Sequence, residues 1–463
     1  MLIASPEFPL VFLPFLVVYW LVRRYVDLQK LLLLLFGYAI YTLVTPWFSL
    51  TLIAFTIFIG LMAEASWRST GPLLRRALLA TGVAAAIGLL AFFKYANFFS
   101  HQVAVAVELM GLEWALPVVD VLMPLGISFY VFQAISYLVC IHQRSTQPAQ
   151  PLDLGLYLCF MPTLIAGPLC RPSELLTPLS SPLVRRVLDA DQIQLLICSF
   201  VIKKVWLASW LDTDIVSPVF GEPLAHNGFE LSLGAVAYAF QIYFDFSGYT
   251  DLATAIALLL GYTLPVNFSF PYLANSLSDF WGRWHITLSR WIRDYIYIPL
   301  GGNRHGAMRM YANLMIAMIL SGLWHGAGLK YLIWGTLHGL FLSLEKILQC
   351  VGIPHFGSLL TFILVCSGWI FFRAPTLDAA IDYFRSCLDW RLPLDQGIPH
   401  LQLLLLIPTC FLIWSNAPLL LALCRKSLAL IPPILRPVPI ATVITFALAL
   451  SPKGMPNFIY AQF

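Results

Sequence analysis

The feature that most constrains this chain is a series of apolar runs, each close to the length of a membrane crossing, that recurs from one end to the other. An α-helix needs about 20 mostly apolar residues to cross the hydrocarbon core of a bilayer. Hydrophobic residues make up 60% of the 463 residues, and charged residues only 11%. This balance excludes an ordinary soluble protein. The sequence therefore predicts an all-α, polytopic transmembrane protein surrounded by membrane lipid.

The charged residues and the cysteines argue against several functions. The formal net charge is +4, and the basic residues are spread over short loops, without a cluster that could follow a nucleic acid backbone. The nine cysteines are scattered, and none forms a C-x-x-C pair. We therefore predict no nucleic acid partner and no metal site, and we interpret the cysteines as small buried residues.

The distribution of Lys and Arg predicts the orientation in the membrane. Basic residues follow the first, third and fifth apolar runs, whereas residues 101–120 contain acids but no Lys or Arg. Because cytoplasmic loops are enriched in Lys and Arg, we expect a periplasmic amino terminus and a cytoplasmic basic loop at 281–310. Residues 1–10 lack the basic stretch and cleavage site of a signal peptide, so we expect the first helix to be retained.

We expect one intramembrane domain over residues 1–463, because no internal repeat, low-complexity linker or long soluble segment divides the chain. Its polar motifs concentrate in the core block 241–340, and a tail covers 452–463. Two apolar pieces are predicted to be broken or re-entrant helices, namely 156–168, which contains two prolines, and 313–323, which ends in Ser-Gly-Leu.

Two carboxylates, Asp245 and Asp251, lie in an apolar run where ionisable groups are costly. They are six residues apart, a spacing that does not place them on adjacent helical faces, and Gly248 between them predicts a bend. In the structural interpretation each acid binds an Arg or backbone donors. A catalytic role is the alternative.

The segment 281–297 interleaves Trp and Tyr with three arginines, at spacings of mostly three to seven residues. This pattern is typical of an amphipathic helix that anchors at the membrane interface. The alternative is that the arginines bind the phosphates of a cofactor arriving from the cytoplasm, while an aromatic ring stacks on its adenine.

Three histidines of the core block are candidates for chemistry, namely His285, His325 and His338. His325 is followed by Gly326-Ala-Gly328 and lies in apolar sequence, where a neutral imidazole is favoured. A neutral imidazole can accept the proton of a hydroxyl that attacks a thioester, as acyl transfer requires. The alternative is a core histidine bonded to a carbonyl. Like His325, His285 directly follows a tryptophan, whereas His338 is a third candidate that we interpret as a core histidine. The absence of G-x-S-x-G, P-loop and H-E-x-x-H motifs argues against hydrolase, nucleotide-driven and zinc-protease chemistry.

These residues stand in longer motifs that resemble the membrane-bound O-acyltransferase (MBOAT) family, and in particular its bacterial alginate and peptidoglycan O-acetylation branch. The principal motifs are Asn267-Phe-Ser-Phe-Pro-Tyr272, Asp279-Phe-Trp-x-Arg283-Trp-His285-Ile-Thr-Leu-Ser-x-Trp291 and Gly322-Leu-Trp-His325-Gly-Ala327. Supporting motifs are Met123-Pro-Leu-Gly-Ile-Ser-Phe-Tyr130, Tyr243-Phe-Asp-Phe-Ser-Gly-Tyr249 and Trp369-Ile-Phe-Phe-Arg-Ala374. The resemblance extends over nearly the whole chain.

The resemblance implies a shell of about eleven crossings, with re-entrant and interfacial helices, around a central funnel. It implies that His325 is the catalytic base and that His285 orients or binds. The acyl donor would be acetyl-coenzyme A from the cytoplasm. Its expected binding residues are Arg283, Trp284, Arg290, Arg293 and Asn303. The acetyl group would cross the bacterial inner membrane to an SGNH-type esterase-like partner, which would pass it to a surface polysaccharide.

The carboxyl-terminal residues Phe458-Ile-Tyr460-Ala-Gln-Phe463 are similar to an F-x-Y-x-x-F ending of related acylation systems. By that resemblance, Tyr460 would carry the acyl group on its phenol. An interfacial aromatic anchor is the alternative for this residue. A second function also remains open, namely a proton-coupled transporter whose intramembrane Asp and His relay protons.

Overall fold

The computed structural model describes residues 3–5, 7–44, 46–110, 121–353, 355–390 and 401–452. These residues contain helices and no β-strand, which confirms the all-α prediction. By their packing they fall into two units: the described residues up to Asp189 together with Ile256–Pro265, and Ala190–Ala255 together with the described residues from Val266 onward. The prediction of a single domain over 1–463 stays a prediction.

The helices of the first unit are α1 (Phe8–Leu21), α2 (Val26–Val44), α3 (Pro46–Arg68), α4 (Pro72–Leu109), α5 (Ile127–His142), α6 (Pro151–Leu158), α7 (Met161–Leu164) and α8 (Thr177–Ser180), with a π-helix at Pro172–Leu176. The second unit begins with α9 (Ala190–Phe200), α10 (Ser209–Leu211), α11 (Ser217–Gly221) and α12 (Gly228–Leu260), whose last residues belong to the first unit. It continues with α13 (Leu277–Arg283), α14 (Ile286–Ile292), α15 (Ala307–His325), α16 (Leu329–Cys350), α17 (Ser358–Arg373), α18 (Leu377–Ser386), α19 (Leu401–Ser415), α20 (Ala417–Leu430) and α21 (Pro437–Leu450). Its π-helices are Val201–Ala208, Asp212–Val216 and Arg293–Tyr297, and its 3-10 turns are Pro223–Ala225, Pro271–Leu273 and Pro433–Leu435.

Within the described ranges, six helical segments are long and apolar enough to cross a membrane. They are Val26–Leu43, Trp47–Arg68, Pro72–Leu109, Ala190–Gly221, Ala307–His325 and Pro433–Leu450. The pair α19 and α20, bent by 77°, makes a seventh if it forms one span, and α1, α5 and α17 are shorter apolar helices. The chain is a multi-pass helical membrane protein, as predicted. The figure of about eleven crossings stays a prediction.

The first unit contains a buried ion pair and a broken helix. Lys30 on α2 donates to Asp153 on α6 at 2.8 Å, with both side chains about 5% exposed. Helix α6 ends at Leu158, and the four-residue α7 starts at Met161, one residue before Pro162. The predicted break within 156–168 is therefore confirmed. Its cause is Pro162, because proline lacks the amide hydrogen that an uninterrupted helix needs.

The acids of α12 are held by two lysines of the π-helix Val201–Ala208. Lys203 donates to Asp251 at 2.7 Å, and Lys204 donates to the buried Asp245. The structural interpretation of both acids is confirmed, although the partners are lysines rather than arginines. Helix α12 is continuous from Gly228 to Leu260, so the chain has no break at Gly248, and the predicted bend there stays a prediction. A side chain at Gly248 would approach the backbone of Lys204 to 3.2 Å, so this glycine lets the π-helix pack closely on α12.

Helices α15 and α16 form a tightly packed hairpin whose turn carries His325. An added Cβ at Gly322 would lie 2.2 Å from the carbonyl oxygen of Tyr331, and one at Gly335 would lie 2.4 Å from that of Met318. Small residues allow membrane helices to approach each other this closely. The predicted break within 313–323 is wrong, because α15 continues to His325. The chain reverses only after it, where Gly326 and Gly328 are extended.

Candidate active site

His325 is the last residue of α15 and is 3% exposed. Three aromatic rings surround it with edge-to-face geometry: Trp324 at 4.8 Å, Trp334 of α16 at 5.1 Å and Phe372 of α17 at 5.2 Å between ring centroids. Edge-to-face packing fixes the plane of a ring as well as its position. The imidazole of His325 is therefore held at the end of the hairpin in apolar surroundings, as the sequence predicted.

His285 joins α13 to α14 and is fully buried. Its backbone has φ 40° and ψ 53°, the left-handed region that residues with a side chain seldom occupy. Nearby contacts fix this conformation: Ile286 N donates to the Asn267 carbonyl oxygen at 2.9 Å, and the Phe246 ring lies 4.8 Å from the imidazole. Strained backbone of this kind clusters at functional sites.

The side chain of Asn267 sets the tautomer of His285. The Thr287 hydroxyl and amide both donate to Asn267 Oδ1, at 2.8 and 3.3 Å, which identifies this atom as the oxygen. His285 Nδ1 lies 3.1 Å from the same oxygen. Because a carbonyl oxygen can only accept, Nδ1 must carry the hydrogen. In a neutral ring, Nε2 of His285 then keeps the lone pair.

Both histidines pack against the indole ring of Trp324. The centroid of its indole ring is 6.1 Å from that of His285 and 4.8 Å from that of His325. The structure therefore brings the two predicted histidines to one ring, although they are forty residues apart in sequence. All these residues belong to the second unit.

Trp284, one of the expected donor-binding residues, is 1% exposed. Its indole packs against Trp369 at 5.0 Å and Phe268 at 5.1 Å. The segment 281–297, interpreted from sequence as one amphipathic helix, is divided into α13, α14 and a π-helix. Trp291 also packs inward. The role of Trp284 in stacking on a donor stays a prediction, and its ring belongs to a packed aromatic cluster.

The three arginines of this segment differ in their surroundings. Arg283 donates to Asp279 at 2.7 Å and Arg293 donates to Asp294 at 2.7 Å. The bond to Asp294 raises the pKa of Arg293 above its ordinary value, so the guanidinium stays charged. Arg290 is exposed and has no ion-pair partner in the part of the chain that the structure describes. It is therefore the arginine whose charge is most available to an anion.

Asn303 is exposed, in the turn between the π-helix Arg293–Tyr297 and α15. The turn is held from α15 by Asn313, whose side-chain amide donates to the Gly302 carbonyl oxygen at 2.8 Å. Donor binding by Asn303 and by the three arginines stays a prediction.

His338 is fully buried on α16, and its ring packs against Trp334 at 4.8 Å and Trp281 at 5.3 Å between centroids. Neither of its ring nitrogens has a hydrogen-bond partner among the residues that the structure describes. The sequence interpretation made it a core histidine, and its packing agrees, although the expected bond to a carbonyl is not formed. Tyr460, the predicted acyl carrier, lies outside the described residues.

Sequence reasoning missed the residues that orient the two histidines. Asn267 was visible only as the first residue of a motif, and its bond to His285 crosses eighteen positions in the chain. Trp324 was noted only as the residue preceding His325, and Trp334 lies on the next helix. No periodicity or spacing rule indicates such contacts, because they depend on where the hairpin and the turn at His285 meet.

Comparison with known proteins gives this arrangement a family. Residues 121–373 match the family model of the membrane-bound O-acyltransferases, and this range contains both histidines and all of α15 and α16. The chain belongs to the MBOAT family and is an acyltransferase.

Curated relatives cover most of the chain. It is 38% identical over 408 residues to a protein of Pseudomonas syringae pv. tomato named a probable alginate O-acetylase, covering 85% of this chain and 76% of the relative. A protein of the same name from Pseudomonas putida is 38% identical over 412 residues, with coverages of 85% and 82%. The peptidoglycan O-acetyltransferase of Helicobacter pylori is 34% identical over 350 residues, covering 67% of this chain and 64% of the relative.

Proposed function

We propose that this protein moves an acetyl group from cytoplasmic acetyl-coenzyme A across the bacterial inner membrane toward an extracytoplasmic polysaccharide. The names of its relatives support O-acetylation and a polysaccharide acceptor, since two are named alginate O-acetylases and one a peptidoglycan O-acetyltransferase. The observation that carries the proposal is the pair of buried histidines that both pack against Trp324, with the tautomer of His285 fixed by Asn267.

In the proposed reaction, His325 is the general base. Its neutral ring accepts the proton of a hydroxyl as the hydroxyl oxygen attacks the acetyl carbonyl carbon. The carbon–sulfur bond breaks, the sulfur of coenzyme A leaves with the electron pair, and the proton on His325 can then neutralise the thiolate. His285 is the partner histidine: Asn267 fixes its orientation, so that Nε2 offers a lone pair to a hydroxyl or ordered water.

The exposed groups of the loop 281–310 suit an anionic acyl donor such as acetyl-coenzyme A. Arg290 offers an exposed cation without a carboxylate partner among the described residues, and the Asn303 turn lies next along the chain after the π-helix. Guanidinium groups bind phosphate with charge-assisted hydrogen bonds. We propose that the loop 281–310 faces the cytoplasm and the amino terminus faces the periplasm, as the distribution of Lys and Arg predicts.

The acceptor side of the reaction follows the resemblance. We propose Tyr460 as the hydroxyl that first receives the acetyl group, because a phenol ester transfers readily to a serine nucleophile. An SGNH-type partner would then acylate the polysaccharide. The alternative of a proton-coupled transporter has less support, because Lys203 and Lys204 bind the two acids that would serve as its relay.

The decisive experiment compares the wild type with His325→Ala in membranes supplied with radiolabelled acetyl-coenzyme A. Loss of a general base lowers a rate by about 10² to 10⁴, so we expect thioester cleavage to fall by that factor at unchanged expression. Cleavage at the wild-type rate would remove His325 from the mechanism. A wild type that consumes no thioester but shows substrate-coupled proton flux would establish the transporter instead.

A further inference from the structure

The carboxyl group of Glu345 is a buried polar group that the chemistry above does not use. It lies on α16, is 1% exposed, and binds the first two residues of α13. Leu277 N donates to Oε2 at 2.6 Å, and Ser278 Oγ donates to Oε1 at 2.6 Å. Both oxygens of the side chain are therefore engaged by a segment about 70 positions earlier in the chain.

Helix α13 depends on such contacts because it has only seven residues. A helix of this length is not stable on its own in water, and its first amides have no partner within the helix. Ser276 satisfies one of them by accepting from Asp279 N at 3.0 Å, and Glu345 satisfies that of Leu277. A carboxyl group also interacts favourably with the positive end of the helix dipole. Because α13 ends at Arg283, two residues before His285, its placement determines where the histidine lies.

The same helix that carries Glu345 also contacts His325. Trp334 of α16 packs edge-to-face on the His325 ring at 5.1 Å. Glu345 is eleven residues further along, about 16 Å at the rise of an α-helix. One rigid element therefore contacts the ring of one histidine and the start of the short helix that leads to the other.

We propose that Glu345 is a positioning residue that fixes His285 relative to His325 through α16. The inference rests on the proposed function, in which both histidines act at one site. Glu345 itself does not touch the reacting atoms. Replacing Glu345 should therefore destabilise α13 locally and lower the rate constant of acetyl transfer. It should have little effect on the binding of acetyl-coenzyme A at Arg290.

Two substitutions of Glu345 distinguish the loss of its hydrogen bonds to α13 from the loss of its charge. Glu345→Ala removes both acceptors. Glu345→Gln keeps an oxygen for Leu277 N, and its amide can donate to Ser278 Oγ once that hydroxyl turns, so both contacts survive without the charge. The matched control is Lys346→Ala, the next residue on α16, whose ammonium group donates to Gln349 Oε1 at 3.1 Å in an exposed position.

The experiment measures amide hydrogen exchange of residues 277–285 together with kcat and the donor KM for acetyl-coenzyme A in the detergent-purified full chain. Loss of a helix cap changes a local equilibrium by about tenfold. For Glu345→Ala we expect exchange in this segment to rise about tenfold and kcat to fall by at least that factor, while the donor KM stays within about twofold. For Glu345→Gln we expect the exchange rate and kcat to lie within about threefold of the wild-type values. Lys346→Ala should have the wild-type exchange rate and kcat.

The proposal is overturned if Glu345→Ala leaves exchange at 277–285 unchanged, or raises exchange equally in α17, which would show general destabilisation. If Glu345→Ala does not fold, Ser278→Ala decides: it removes one of the two bonds and should raise exchange and lower kcat by about threefold, and wild-type values would refute the role. Amide hydrogen exchange is measured without substrate, so it tests the contact between Glu345 and α13 independently of activity. A wild type without acetyltransferase activity would refute the proposed function, and the exchange data would still test that contact.

Discussion

Gly322→Ala tests whether the close packing of the α15–α16 hairpin positions His325. The added Cβ would lie 2.2 Å from the Tyr331 carbonyl oxygen and 3.1 Å from its carbonyl carbon. Both atoms belong to the backbone, so no side chain can rotate away. Ordinary van der Waals contact begins at 3.4 Å, which requires the two helices to separate by about 1 Å near the turn.

This separation has two measurable consequences. Overpacking of a tight interior costs about 1–3 kcal/mol, so the melting temperature of the purified protein should fall while the chain still inserts. A displacement of about 1 Å at a reacting group can lower a rate by about 100-fold. Because His325 is three residues beyond Gly322, we expect thioester cleavage to fall by about that factor at saturating donor.

The matched control is Gly328→Ala, in the same turn. Its Cβ would meet atoms of Lys330 and Tyr331 at 3.9 Å, an ordinary contact, and its backbone is extended, which any residue can adopt. This variant should keep wild-type stability and activity. If Gly322→Ala cleaves the thioester as fast as Gly328→Ala and melts at the same temperature, the hairpin does not position His325 as described.

Three other substitutions test the remaining assignments. Asn267→Ala removes the acceptor for His285 Nδ1 and should lower kcat by about 10- to 100-fold with little change in donor KM; an unchanged kcat would show that the tautomer is irrelevant. Arg290→Ala should raise the donor KM by about tenfold, and more than Arg293→Ala, because Arg293 is already paired with Asp294; equal effects would refute the distinction. Tyr460→Phe should retain donor binding but abolish transfer to the acceptor, and normal polysaccharide acetylation would reduce Tyr460 to an anchor.

The membrane class and the broken helix near Pro162 could be predicted from the sequence because each depends on local composition. Contiguous motifs also singled out His285 and His325, whose roles in the reaction stay predictions. The sequence did not predict that α13 and α14 are separate, since their division depends on the left-handed conformation of His285, which distant contacts impose. The surroundings of Trp284 were equally hidden. A tryptophan between arginines resembles an interfacial anchor, and only the tertiary fold shows that its ring packs on Trp369.

The partners of Asp245 and Asp251 could be predicted in kind but not in identity. A buried acid in an apolar run requires a cation or hydrogen-bond donors. The cations are supplied by Lys203 and Lys204, which lie about 40–50 positions earlier and contact the acids from a π-helix. No residue pattern in the sequence predicts a π-helix. Continuity of α15 through Ser321 and Gly322 was missed for a related reason, because the close approach of α16 favours glycine there without breaking the helix.

The two lysine–aspartate pairs also constrain how the chain is assembled in the cell. The ribosome synthesises Lys203 and Lys204 before Asp245 and Asp251, and each lysine placed alone in hydrocarbon costs about 2.5–3.5 kcal/mol. We expect the segment Ala190–Gly221 to remain beside the translocon until α12 emerges, and then to enter the lipid together with it. A nascent chain arrested before Asp245 should therefore integrate this segment poorly, and replacing both lysines with leucine should restore its integration.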